Sequence, residues 1–181
     1  RDKKVDALEM EIEEMATTII ALRQPMAQDL RVLISALKIC STLERIGDLA
    51  KNISKRAMTF SKAGPVRITK SIVQMGRATL AQLSEVLNAY TQRNTESAVA
   101  VWRRDVDIDD MYNALFREVV TYMMEDARMI GSGSQMLFIA KNLERIGDHT
   151  THISEMIYYI DKGEPLGDDR PKGEPLGLDL E

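Results

Sequence analysis

Cysteine is nearly missing from this chain. Cys40 is the only one in 181 residues, which excludes an intramolecular disulfide and a Cys-rich metal site and fits a reducing compartment. Prolines are confined to Pro25, Pro65 and a tail holding Pro165, Pro171 and Pro175, positions that suit helix starts or linkers. Aromatic residues make up 5% and the net charge is −4. Neither a basic surface nor an arginine–aromatic cluster therefore argues for nucleic acid. The longest uncharged stretch near the repeat described below, Met129 to Ala140, contains Gly131 and Gly133 and is too short and too polar to cross a bilayer. No basic start followed by an apolar run marks a secretion signal. These absences predict a cytoplasmic protein that binds no nucleic acid and does not insert into a membrane.

What is present is a repeat. Leu43-Glu44-Arg45-Ile46-Gly47-Asp48 returns unchanged as Leu143-Glu144-Arg145-Ile146-Gly147-Asp148, 100 residues later. The flanks agree as well: Leu37-Lys38-Ile39 lies over Leu137-Phe138-Ile139, and Asn52-Ile53-Ser54 over His152-Ile153-Ser154. Such self-similarity divides a chain into equivalent halves before any single residue is interpreted.

Both halves read as helix. Val5, Leu8, Ile12, Met15, Ile19 and Leu22 alternate steps of three and four, and Arg23-Gln24-Pro25 ends that helix. Ala36, Ile39, Leu43, Ile46, Ala50, Ile53 and Ala57 form the stripe of the next. A third helix, to about Arg93, presents Val73, Leu80, Leu83, Leu87 and Tyr90, and a single fourth is expected from Thr95 to Met129 through Ile108, Met111, Leu115, Val119 and Tyr122. A fifth is expected after Gly131-Ser132-Gly133, with Met136, Ile139, Leu143, Ile146, Ile153 and Ile157 inward. Sustained period-two alternation is lacking, so the predicted class is all-α, with tandem antiparallel three-helix bundles. The first bundle spans 1–62 as a helix pair, with its own first helix expected to be absent from this chain. The second spans 63–161. Residues 162–181, where Gly163-Glu164-Pro165-Leu166-Gly167 recurs at 173–177, read as a disordered linker or a segment foreign to the fold.

With Leu43 and Ile46 as seam positions, Glu44 and Asp48 fall on outward positions one turn apart. Like charges at that spacing repel by a few tenths of a kcal/mol, yet the pair recurs as Glu144 and Asp148. The preceding helix of each half carries its own pair, Asp2 with Asp6 and Asp105 with Asp109. If those helices are neighbours, four carboxylates converge per half on an outer surface, an oxygen-rich set suited to divalent cations such as Mg, Mn, Fe or Zn. Asn52 and His152, one turn beyond Asp48 and Asp148, are additional candidate ligands. The plain alternative is a solvated acidic face neutralised by Arg45 and Arg145. Gly47 and Gly147 cost about 1 kcal/mol each relative to Ala in a helix, which points to close approach of a ligand or to tight helix packing. The methionines read as gap-fillers in the seam.

The segment Arg23-Gln24-Pro25-Met26-Ala27-Gln28-Asp29-Leu30-Arg31, followed by Leu43-Glu44-Arg45-Ile46-Gly47-Asp48, resembles the PhoU family of phosphate-signalling regulators. The second copy of the motif, followed by His149 and Ile153, is similar to that family's second repeat, and the likeness runs from Asp2 to about Ile160. The resemblance implies two three-helix bundles and metal clusters, divalent or ferric and of one or several ions, on Asp2, Asp6, Glu44, Asp48, Asp105, Asp109, Glu144 and Asp148. It further implies a non-enzymatic negative regulator of phosphate uptake and of the phosphate-starvation response. Such a regulator links the phosphate ABC transporter, through its ATPase subunit, to a sensor histidine kinase, and is peripheral to the membrane only through those partners. Apart from the resemblance, a first bundle reduced to a helix pair would leave an apolar stripe uncovered, to be closed by its absent first helix or by another chain, most simply in a homodimer. Two other readings stand beside it: a helical interaction protein without functional metal, and a di-metal carboxylate enzyme. The enzyme reading is weakened by the lack of the Glu-x-x-His pairs such sites use.

Overall fold

The computed structural model describes residues 2–60 and 69–167, with side chains over 4–58 and 70–167. Helix α1 spans Asp2–Arg23, α2 Gln28–Phe60, α3 Thr69–Gln92, α4 Thr95–Arg103, α5 Asp105–Glu125 and α6 Ile130–Lys162, with a 3-10 turn at Ala127–Met129 between α5 and α6. No strand occurs among the described residues. The two 33-residue helices, α2 and α6, carry the two copies of the motif and lie against one another as the central pair. Helix α1 packs on α2, whereas α3, α4 and α5 all pack on α6. The boundary expected near residue 62 and most of the tail fall outside the described residues.

Local chemistry fixes the helix ends. Gln24 and Ala27 take positive φ, 47° and 51°, and with Pro25 between them they turn the chain from α1 into α2. At the α3–α4 turn Arg93 is also left-handed, φ 52°. The side chain of Asn94 then caps α4 by accepting from the Ser97 backbone N–H at 3.0 Å. Helix α6 ends on Gly163 at φ 79°, whose N–H reaches the Tyr159 carbonyl, the left-handed glycine cap.

Two expectations about helix boundaries are corrected. The single helix expected over 95–129 is broken at Arg104, whose N–H is shared between the carbonyls of Ala100 and Val101 and whose guanidinium pairs with Glu85 of α3. The break carries Asp105 into the interior at the first turn of α5, where the helix dipole favours an anion. The glycines Gly131 and Gly133 lie inside α6, not before it. The turn sits at Asp126, whose carboxylate accepts from the Arg128 N–H at 2.9 Å. A Cβ at Gly133 would stand 2.9 Å from Met123 Cγ, so this glycine lets α5 and α6 close on each other.

The buried rows also shift. On α3 the inward residues are Met75, Thr79, Gln82, Val86 and Ala89, while Val73 and Leu80 of the expected stripe are exposed. On α2 the most buried row is Ser35, Ile39, Thr42, Ile46 and Leu49, with Ala50 and Ala57 exposed. Small polar residues stand in both rows and mask them from a purely apolar count. Thr42 and Thr79 satisfy their hydroxyls by donating to the carbonyls four residues back, Lys38 and Met75. The stripe expected on α6 holds throughout. Met75 and Met136 fill the core as expected, but Met10, Met26, Met58 and Met124 face solvent.

Two hydrophobic cores result. One lies within the second half, from Met75 of α3, Ile108, Leu115 and Val119 of α5, and Met136 and Leu143 of α6. The other joins the halves, with Ile39, Ile46 and Leu49 of α2 meeting Val86 of α3, Val101 of α4, and Ile146, Ile153 and Ile157 of α6. Ile46 and Ile146, equivalent residues of the two copies, belong to this one cluster.

Candidate metal centre

In the second half the acids lie on facing helices. Glu144 and Asp148 stand one turn apart on α6, and Asp105 and Asp109 one turn apart on α5, which packs along α6. Glu144 is largely covered, 14% exposed, and its Oε1 accepts from Lys141 Nζ at 2.7 Å. Burial pushes the Glu144 carboxyl upward, Lys141 opposes this, and the charges of Asp148 and Asp109 add to it. The reach of those two charges to Glu144 places the three carboxylates in one electrostatic neighbourhood. Burial presses Lys141 downward, but its hydrogen bond to Glu144 and the nearby Glu144, Tyr112 and Asp148 outweigh it and leave the ammonium raised. Lys141 also stands 5.2 Å from the Tyr112 ring centroid, within cation–π range.

Asp105 is fully buried and accepts from Gln82 Nε2 of α3 at 3.0 Å. It lies against the motif glycine: a Cβ on Gly147 would meet Asp105 Oδ1 at 2.8 Å. The expected placement of every acid pair on the outer surface is therefore corrected for Asp105 and Glu144. The break at Arg104 turns Asp105 inward, and Tyr112 and Lys141 flank Glu144. Asp48 of the first half does face solvent, with Lys51 Nζ 3.3 Å away. Glu44 on α2 and Asp6 on α1 are half-buried, and the side chain of Asp2 lies outside the described residues. Asn52 is exposed. His152 has Nδ1 3.4 Å from Glu155, which also accepts from Trp102 Nε1 at 3.2 Å. The neighbouring His149 is held below its ordinary value by burial and then by Arg45 of the first copy, a second sign that the copies touch.

Among the described residues no three Asp, Glu, His or Cys side chains already stand together at metal-binding spacing. The donor chemistry nevertheless fits a cation. Glu144 Oε2 and Gln82 Oε1 are buried without a hydrogen-bond partner, and buried oxygens of that kind call for a donor or an ion. Sequence reasoning did not find Gln82 or Lys141. Lys141 is legible afterwards as a cation three residues before Glu144, where the first copy has Ser41. Gln82 carried no signal beyond being polar in a helix.

Two copies of one helical unit, joined through a shared core and each bearing Glu-x-x-x-Asp on a central helix, define a class of internally duplicated, all-α bundle proteins. The PhoU domain matches residues 1–57 and 72–157, covering both copies, and the chain belongs to the PhoU family. It is 51% identical over 176 residues to the phosphate-specific transport system accessory protein PhoU homolog of Caulobacter vibrioides, covering 97% of this chain and 76% of that protein. The homolog of Rhizobium meliloti is 44% identical, over 96% of this chain and 73% of its own. The crystal structure of PhoU from Pseudomonas aeruginosa superposes with a TM-score of 0.87 at 35% identity, covering 90% of this chain and 78% of that one. The phosphate transport system regulatory protein PhoU from Streptococcus pneumoniae gives 0.83 at 31% identity, over 92% and 78%. Among the described residues no helix is long and apolar enough to cross a membrane.

Proposed function

We propose that this chain is a non-enzymatic accessory regulator of phosphate transport that damps uptake and starvation signalling when phosphate is plentiful. The observation that carries this reading is the 51% identity, spread over 97% of the chain, to an accessory protein of that system. The partners it implies are the ATPase subunit of the phosphate ABC transporter and a sensor histidine kinase, met at the cytoplasmic face of the membrane. Pull-down of the tagged chain from phosphate-replete cells of its host is expected to recover both proteins. Recovery of neither overturns the assignment of partners.

The acid pairs are assigned to metal, with Asp105, Asp109, Glu144 and Asp148 serving the second half and Asp2, Asp6, Glu44 and Asp48 the first. Magnesium, manganese, iron and zinc all suit such donors, and the orphaned Glu144 oxygen supports the choice. A bound cation would screen the repulsion among these carboxylates and tie α5 to α6. A second reading, a helical partner without functional metal, draws support from Lys141 and Lys51, which already neutralise Glu144 and Asp48. Elemental analysis separates the two. The double variant Asp48→Asn, Asp148→Asn is expected to lose bound metal while keeping its helicity, and unchanged metal content would remove the site assignment.

A further inference from the structure

The segment Arg23-Gln24-Pro25-Met26-Ala27-Gln28-Asp29-Leu30-Arg31 takes no part in the acid sites. Arg23, Pro25, Gln28 and Asp29 from it form one wall of a cavity of about 690 Å3, which the α3–α4 turn and the last turns of α6 complete. Ile19 of α1, Leu33 of α2 and Ile157 and Ile160 of α6 give it an apolar lining. Of these only Ile157 is fully buried, and the other three are half-buried. Arg23 enters from the first wall and Arg93 from the α3–α4 turn. Among the described residues neither arginine has an ion-pair partner. The two aspartates on the cavity wall are already compensated. Asp161 accepts from Thr95 Oγ1 at 3.1 Å and lies 3.0 Å from Lys162 Nζ. Asp29 sits in the first turn of α2, where the helix dipole favours an anion.

Arg93 is held at this wall at a cost. Its N–H reaches the Tyr90 carbonyl at 3.2 Å while the Asn94 N–H reaches that of Ala89 at 2.8 Å, the helix ending whose left-handed residue is usually glycine. Helix α6 ends on such a glycine, Gly163, whereas α3 ends on an arginine at φ 52°. A strained backbone that carries a charged side chain to a cavity wall points to a use for that side chain. Tyr90 lines the same cavity. Burial and then Cys40 push its phenol up against the opposing charge of Arg93, so it keeps its proton as a hydrogen-bond donor near the guanidinium.

We propose that this cavity binds a small amphipathic monoanion, a carboxylate on an apolar body, with its head between Arg23 and Arg93 and its body on the isoleucines. The volume falls in the range of small-ligand sites, about 300–1,000 Å3. An inorganic anion lacks the body that the apolar lining calls for, and a second negative charge would meet Asp29 and Asp161. The site shares no residue with the acid pairs, so it is tested apart from the metal reading.

The test titrates the full chain with decanoate and follows the isoleucine methyl resonances. The methyls of Ile157 and Ile160 are expected to shift saturably. Decanol, which keeps the body and lacks the charge, and acetate, which keeps the charge and lacks the body, should both bind more weakly. Arg93→Gly is expected to weaken decanoate binding about 10-fold or more, the loss of one charge-assisted hydrogen bond. The same variant should raise the urea midpoint, because the left-handed strain is relieved. Gln24→Gly relieves the same kind of strain at a residue outside the cavity, and should raise the midpoint with decanoate affinity unchanged. A purely structural role for Arg93 predicts the reverse, a lowered midpoint with affinity kept. That result overturns the proposal, as do equal affinities for decanol and decanoate. So does a titration in which the Ile157 and Ile160 methyls stay still while Leu8 and Met15 of the exposed α1 row respond.

Discussion

Gly47 and Gly147 occupy the same place in identical six-residue motifs, yet their surroundings differ. Nothing described lies within 4 Å of a Cβ placed on Gly47, whereas on Gly147 that atom would collide with the Asp105 carboxylate at 2.8 Å. Replacement by alanine should therefore have opposite signs at the two positions. Gly47→Ala gains helix propensity and is expected to stabilise the chain by about 0.5–1 kcal/mol. Gly147→Ala forces α5 away from α6 in a packed interior and is expected to cost about 1–3 kcal/mol. Urea unfolding of the two variants reads the difference, and equal effects would mean that the copies have equivalent environments. The sequence showed that the two glycines needed a reason, and it showed the acid pairs beside them. It did not show that Asp105 is the neighbour, because that follows from a one-residue break at Arg104 which no proline or glycine announces. Gln82 was hidden for a related reason, since a polar residue in a core row breaks the apolar pattern by which rows are found.

At the scale of the element, α1 shows two parallel rows. Val5, Ile12 and Ile19 recur every seven residues and are half-buried where α1 packs on α2. Leu8, Met15 and Leu22 recur at the same interval and are 47%, 54% and 76% exposed. Together they form a complete heptad seam with one row uncovered. The buried side is well seated: the Cys40 thiol on α2 is pushed up by burial and then by Glu9 and Glu13 of α1. An open row with heptad spacing suits another helix, and a second copy of this chain would supply one. Sedimentation of the purified chain is expected to show a dimer, and the double variant Leu8→Glu, Met15→Glu a monomer with its helicity kept. A chain that stays monomeric across the accessible concentration range would rule this assembly out. Helix existence, the 3-4 alternation on α6 and the turn at Pro25 were all legible from the residues. The rotation of the α2 and α3 rows was not, because Ser35, Thr42, Thr79 and Gln82 are buried through packing and hydrogen bonding that only the assembled helices provide.

For the whole molecule, the decisive fact is that the duplication does not produce two separable cores. Ile46 and Ile146 lie in one cluster with Val86 of α3 and Val101 of α4, so the central helices of the two copies are each other's hydrophobic partner. A bundle split into independent halves would unfold in two steps, whereas halves joined through a common cluster unfold together. Trp102 is the only tryptophan. It is 7% exposed and its indole N–H is held by Glu155, so its fluorescence reports the second half alone. Far-ultraviolet circular dichroism reports all the helices. The two probes should give coincident urea transitions. Ile46→Ala removes a buried side chain from the first copy and is expected to cost about 2–5 kcal/mol. Trp102 should register that loss in full, although the mutated residue sits in the other copy of the repeat. A Trp102 transition that keeps its midpoint while the circular dichroism falls early would show that the shared cluster does not couple the halves. The shared cluster thus makes α2 and α6 one packed unit, with α1 seated on one side of it and α3, α4 and α5 on the other.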